Sequence, residues 1–220
     1  MNAMRLPRTL VHSLYLRRSS SLAVVTVRIA IVGDENAALP SHREINGVRG
    51  MLGDDVSTEW LATDEPRVAD LAGFDGIWLV PGSPYADDAA AYAAVKWARE
   101  RDVPFLGTCG GLQYAVVEYF RNVLGVAGAS HAESDGSDGS NVVHRLACSL
   151  HGAERLVRPI PETRFSRLVG GEPFVGMHYC SYGPGPDEVE RLVDGGMVIE
   201  ATAETLAPRS SSCPRTASTC

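Results

Sequence analysis

The run Val103-Pro104-Phe105-Leu106-Gly107-Thr108-Cys109-Gly110-Gly111-Leu112-Gln113 constrains the fold of this chain more than any other. Residues Val103 to Leu106 suit a strand and lead straight into Gly-x-Cys-x-Gly, and a helical pattern follows at once. Strand, sharp turn and helix together make a nucleophile elbow, whose apex residue takes a strained backbone. Glycines at 107 and 111 leave room for that turn. The apex also lies at a helix N-terminus, where N–H groups and the helix dipole favour a thiolate and an oxyanion. A buried structural cysteine is the ordinary role of a lone Cys in an apolar segment, but that role needs no flanking glycines. Cys109 is the candidate nucleophile.

The rest of the chain supplies the sheet that such an elbow needs. Val25 to Val32 is a β-rich run ending in Gly33-Asp34 and reads as a first buried parallel strand. Ser41 is a candidate N-cap for a helix reaching about Leu52. Val56 to Leu61 reads as a strand, Val68 to Leu71 as a short helical turn, and Gly76 to Val80 as another buried strand closed by Pro81-Gly82-Ser83-Pro84-Tyr85. An alanine-rich helix is expected from Asp87 to about Arg101, a strand over Val103 to Thr108, and a helix from Gly110 to about Leu124. Asp135 to Asn141 reads as a flexible surface loop. Val142 to Leu150 and Leu156 to Ile160 alternate as half-exposed strands do, Glu172 to Tyr182 reads as strand then turn, and Met197 to Ala201 as the last strand. Alternating strands and helices predict an α/β fold, an open and mostly parallel sheet with helices on both faces. Ligands of such sheets bind at the carboxyl ends of the strands, so Pro81–Tyr85 and Cys109 should face one crevice.

Length and composition limit the function classes. A chain of 220 residues suits one α/β domain. A net charge of −7 without a basic stripe argues against a nucleic-acid surface, and no apolar run approaches the length of a membrane span. The five cysteines form no CxxC pair and no metal-ligand spacing with the six histidines. The expectation is a cytoplasmic protein with reduced thiols and no cofactor or metal. Residues 1–25 are Arg- and Ser-rich and acid-poor, the composition of a transit peptide; an over-extended start or a disordered leader explains it equally well and is the expectation. The domain is expected over 26–205, with 206–220 as a disordered, aberrant tail.

Several separated motifs fall into one order. Asp75-Gly76-Ile77-Trp78-Leu79-Val80-Pro81-Gly82-Ser83 precedes the elbow; Glu118-Tyr119-Phe120-Arg121-Asn122-Val123 and Ala129-Ser130-His131-Ala132-Glu133 follow it. With Gly107-Thr108-Cys109-Gly110-Gly111-Leu112-Gln113 they make the chain resemble the class I (triad-type) glutamine amidotransferases, most closely the glutaminase domain of CTP synthase. The resemblance covers about residues 26–203 and implies a flavodoxin-like fold. It implies hydrolysis of the glutamine side-chain amide, with Cys109 as nucleophile and ammonia as product. The backbone N–H groups of Ser83 and Gly110 would form the oxyanion hole. Gly82, Gly111, Leu112, Gln113, Glu133 and Tyr179 would bind glutamine, with Glu133 holding its ammonium.

The chain also departs from that pattern. Ser83 replaces the second glycine of the family's Pro-Gly-Gly, and Tyr179 stands where CTP synthases usually have arginine. His131, His144 and His151 carry no spacing signal and read as surface residues. Nothing after Met197 matches the family's His-Pro-Glu, and no histidine follows His178. Loss of one triad member typically costs several orders of magnitude in rate. Back-translated with GC-rich codons and shifted by one base, Arg209 to Cys220 reads as a segment leading toward the missing strand. A frameshift is therefore expected, and the nucleotide sequence of the gene tests it. Loss of a late strand and helix would expose apolar surface and favour aggregation. No Gly-rich Lys phosphate motif is present, so the expected partner is a separate synthetase or other ammonia acceptor. Two rival expectations remain: a silent glutamine-binding or regulatory protein, and another cysteine-elbow hydrolase of the same superfamily.

Overall fold

The computed structural model describes residues 26–134, 140–147 and 150–205. The leader at 1–25, the tail at 206–220 and most of the 135–141 loop lie outside the described residues.

The first half builds a parallel sheet from β1 (Val27–Val32), β2 (Val56–Leu61), β3 (Gly76–Leu79) and β4 (Phe105–Gly107), in the spatial order β2-β1-β3-β4. β1 is central, and its last three residues Ala30, Ile31 and Val32 are fully buried. A strand covered on both faces needs an unbroken apolar run, which is what this segment carries. Ala30 and Val32 face a core formed with Ile77, Leu79 and the helices α2 (Asp88–Glu100) and α3 (Gly110–Asn122). Ile31 faces the opposite layer with Val80 and Ile45 of α1 (Pro40–Arg49), beside Trp60 and Trp78. The expected arrangement, a mostly parallel sheet with helices on both faces, is present.

The second half adds two smaller sheets. One joins β5 (Ser130–His131), β6 (Asn141–Arg145) and β9 (Tyr182–Gly183). The other is antiparallel, with β7 (Ala153–Pro159) between β8 (Phe174–His178) and β10 (Ala201–Thr205). α4 (Arg164–Val169) and α5 (Pro186–Asp194) connect these strands. Val116, Val117 and Phe120 of α3 pack on Val142, Val143 and Leu192, which fastens the small sheet to the main one.

Three local expectations are corrected. Ser41 caps nothing: α1 starts at Pro40 after Leu39, without a side-chain cap. Proline suits the first helical position because its fixed φ is helical and it has no N–H to satisfy. The last strand is Ala201–Thr205 rather than Met197–Ala201. Met197 is instead spent on the core around Phe120, and the Glu200 carboxylate accepts the N–H groups of Arg164 and Phe165 at 3.1 Å, satisfying the start of α4. Asn141 belongs to β6 rather than to the loop before it.

Candidate active site at the elbow

Cys109 sits between β4 and α3 with φ 51° and ψ −113°, on the side of backbone space that favours glycine. Its neighbours are held to glycine by space. A Cβ on Gly107 would lie 2.7 Å from the Gly111 carbonyl oxygen, and one on Gly111 would lie 2.0 Å from the Leu79 carbonyl oxygen. One on Gly110 would meet Ser83 Oγ at 2.7 Å. The turn is pinned by Thr108 N–H donating to Leu79 O at 3.1 Å and Trp78 Nε1–H donating to Thr108 Oγ1 at 3.0 Å.

The Cys109 thiol is pulled down to about 7. A hydrogen bond from the Cys180 side chain contributes most; burial opposes it, the Gly110 N–H adds to it, and the negative charge of Glu133 opposes it. The thiolate is thus a substantial fraction of the molecules near neutral pH. Cys180 was not singled out in the sequence, because no motif or spacing links it to Cys109.

The segment Pro81-Gly82-Ser83 reaches the elbow from the end of β3. Gly82 has φ +123°, and Ser83 lies directly over Gly110. Ser83 Oγ–H donates to Glu133 Oε2 at 3.0 Å, so the substituted position touches the carboxylate that the motif order singled out. His42, fully buried, holds the segment from below. Its Nδ1 accepts the Asn36 N–H at 2.9 Å, which places the proton on Nε2, and Nε2–H donates to Pro81 O at 2.7 Å. Nothing in the sequence marked His42, since its partner is a backbone carbonyl 39 positions away.

His131 is 0% exposed, which overturns its reading as a surface residue. Its Nδ1 accepts the Glu133 N–H at 3.0 Å and its Nε2–H donates to Gln113 Oε1 at 2.9 Å. Gln113 is buried, and its Nε2–H donates to Tyr182 O at 2.9 Å. A chain of three hydrogen bonds thus joins the Glu133 backbone, His131, the first turn of α3 and β9. Tyr114 anchors the same loop: its hydroxyl is bonded to the Asp88 carboxylate and lies 2.8 Å from Ser134 Oγ. Burial and then the Asp88 carboxylate raise its pKa, so it stays a donor.

Cys109, Gly110, Ser83 and Glu133 are brought together, with Gly82, Gly111, Leu112 and Gln113 beside them. Tyr179 stands apart: it is 49% exposed and packs edge-on against His151. Nδ1 of His178 is buried with no hydrogen-bond partner among the described residues. Also among the described residues, no cluster of His, Cys, Asp or Glu could hold a metal ion, and no helix is long and apolar enough to cross a membrane.

A strand–elbow–helix at the carboxyl edge of a parallel sheet, with a cysteine at the apex, defines the chain as an α/β protein of the open, mostly parallel kind. Residues 49–171 match the family model of the class-I glutamine amidotransferases, and the chain belongs to that family. It is similar to the CTP synthase of Trichormus variabilis, 37% identical over 157 residues, covering 67% of this chain and 29% of the relative. The CTP synthase of Thermococcus gammatolerans is 33% identical over 193 residues, covering 80% of this chain and 36% of the relative. The chain therefore spans about a third of the length of these curated relatives. Among solved structures, the glutaminase domain of Trypanosoma brucei CTPS with bound acivicin superposes with a TM-score of 0.67 at 22% identity, over 80% of this chain and 75% of that one. That likeness is one of fold.

Proposed function

We propose that this chain is a CTP-synthase-like glutaminase domain that hydrolyses the side-chain amide of L-glutamine to glutamate and ammonia. The observation that carries the reading is the Cys109 sulfur at the elbow apex, its pKa near 7, beside the backbone of Gly110 and Ser83. The thiolate attacks the amide carbon, and the tetrahedral oxyanion is met by the N–H groups of Gly110 and Ser83. As the intermediate collapses, its nitrogen takes a proton from water and leaves as ammonia, so a Cys109 thioester and a hydroxide remain; hydroxide then hydrolyses the thioester to glutamate and the free thiol. Glu133 holds the substrate ammonium, Gly82, Gly111 and Leu112 shape the pocket, and Gln113 lines it, while Tyr179, turned to His151, lies outside it. The ammonia passes to a synthetase in pyrimidine nucleotide biosynthesis, in the cytoplasm, where the thiols stay reduced.

A second reading is a silent glutamine-binding protein. It is favoured by the groups that act on Cys109 among the described residues, which are Cys180, Gly110 and Glu133 and include no imidazole. Ammonia release from glutamine by the purified protein, beside Cys109→Ala, separates the two. Turnover abolished by the substitution supports the glutaminase; glutamine binding without turnover supports the silent protein; neither binding nor turnover overturns both.

A further inference from the structure

Ser83 and Glu133 meet beside the elbow from two segments, each fixed through its backbone. On the Ser83 side, Val80 N–H donates to Val32 O at 3.1 Å and His42 Nε2–H to Pro81 O at 2.7 Å. Ala86 N–H donates to Asp34 Oδ2 at 2.6 Å just beyond. On the Glu133 side, Ala132 N–H donates to Val143 O and Glu133 N–H to His131 Nδ1, both at 3.0 Å. The Glu133 side chain bridges the two. Glu133 is exposed, and among the described residues its carboxylate has one hydrogen-bond partner, the Ser83 hydroxyl, at 3.0 Å. Ser83 in turn lies against Gly110, where a Cβ would come within 2.7 Å of the hydroxyl oxygen. The hydroxyl therefore draws the carboxylate toward the residue that follows Cys109. A glycine at 83 would supply no such donor.

We propose that Ser83 is a positioning residue of this site, whose hydroxyl holds Glu133 Oε2 and so sets the carboxylate beside the elbow for the ammonium of an amino-acid substrate. The inference rests on the glutaminase reading, in which Glu133 takes that ammonium. An ionised carboxylate has about four lone-pair sites, so one neutral donor on Oε2 leaves Oε1 open to the substrate. A long exposed side chain loses rotamer freedom when a ligand fixes it. A hydroxyl that fixes it beforehand removes part of that cost from binding. Ser83 thus acts on affinity and on the preference for a cation, through Glu133.

The test compares two reagents on Cys109 at low salt: cationic aminoethyl methanethiosulfonate and neutral methyl methanethiosulfonate, with peptide mass mapping on the full chain. Both attack the same thiolate, so the ratio of their rates reports the charge beside the sulfur and cancels changes in the thiol itself. Glu133→Gln should lower the ratio several-fold, and Ser83→Ala, which keeps the backbone N–H, should lower it at least about twofold. Adding Ser83→Ala to Glu133→Gln should lower it no further. An unchanged or higher ratio in Ser83→Ala, an unmoved ratio in Glu133→Gln, or an equal further fall in the double variant overturns the proposal. Should Ser83→Ala fail to fold by circular dichroism, Ser83→Gly decides by the same ratio. In calorimetry, Ser83→Ala should weaken glutamine binding several-fold and leave glutaramic acid, which lacks the ammonium, unaffected. Tighter glutamine binding would make the hydroxyl a competitor of the ammonium and overturn the proposal. A parent protein that binds no glutamine counts against the glutaminase reading, while the reagent ratio still decides whether Ser83 holds Glu133.

Discussion

Gly111 passes the Leu79 carbonyl so closely that a Cβ on it would lie 2.0 Å from the oxygen. The first turn of α3 therefore rests directly on the backbone at the end of β3, and this contact brings the elbow to the Pro81–Ser83 segment. Gly111→Ala should cost about 3 kcal/mol of stability, the upper part of the overpacking range, because backbone rather than a side-chain tip must yield. Gly47, inside α1, has nothing within 4 Å of its would-be Cβ, and Gly47→Ala should stabilise by about 0.5–1 kcal/mol. Urea unfolding of the pair should give shifts of opposite sign.

Replacing His131 by Ala should weaken glutamine binding and lower stability together. The change leaves the Gln113 side-chain oxygen and the Glu133 N–H without their bonds to the ring. Buried groups stranded in this way cost about 1–3 kcal/mol. In the proposed glutaminase, KM should rise about tenfold while kcat changes little, since Glu133 binds substrate rather than the reacting carbon. A fall in kcat at constant KM would contradict this role.

Glu118 is only 1% exposed, and its carboxylate takes three bonds from Arg99, at 2.8 to 3.1 Å, and one from Asn122 at 3.0 Å. Arg99→Ala strands a buried charge and should cost about 3 kcal/mol in chemical denaturation. Replacing both members, as Arg99→Met with Glu118→Leu, should restore most of that loss. A double variant no more stable than the single one would show that packing, not charge, dominates there.

Lowering of an acid's pKa means that its anion persists to lower pH. With Cys109 near 7, kcat/KM for glutamine should climb with pH through that value and level off above about 8. The Glu133 charge pushes the thiol upward, so Glu133→Gln should move the alkylation midpoint of Cys109 to lower pH even as it removes the ammonium contact. A midpoint that moves up instead would place Glu133 outside the electrostatic reach of the sulfur.

The central strands were legible because a strand buried on both faces must be apolar throughout, and Ala30-Ile31-Val32 and Ile77-Trp78-Leu79 are such runs. α2 was legible in its alanine spacing, and Asp87 caps it by accepting the Ala90 N–H at 3.0 Å. Edges were less so. Met197 has the composition of a strand residue, but its place beside Phe120 is set by a helix far away in sequence.

The elbow was legible in the sequence alone, since glycines at 107, 110 and 111 around one cysteine, between a strand run and a helical run, mark a tight strand-to-helix turn. Tertiary structure alone decided which side chains reach it. The bonds from His42 to Pro81, from Ser83 to Glu133 and from His131 to Gln113, and the contact of Cys180 with Cys109, join residues 18 to 71 positions apart. No periodicity or short motif reports such pairs, because each partner becomes a neighbour only when separate elements pack.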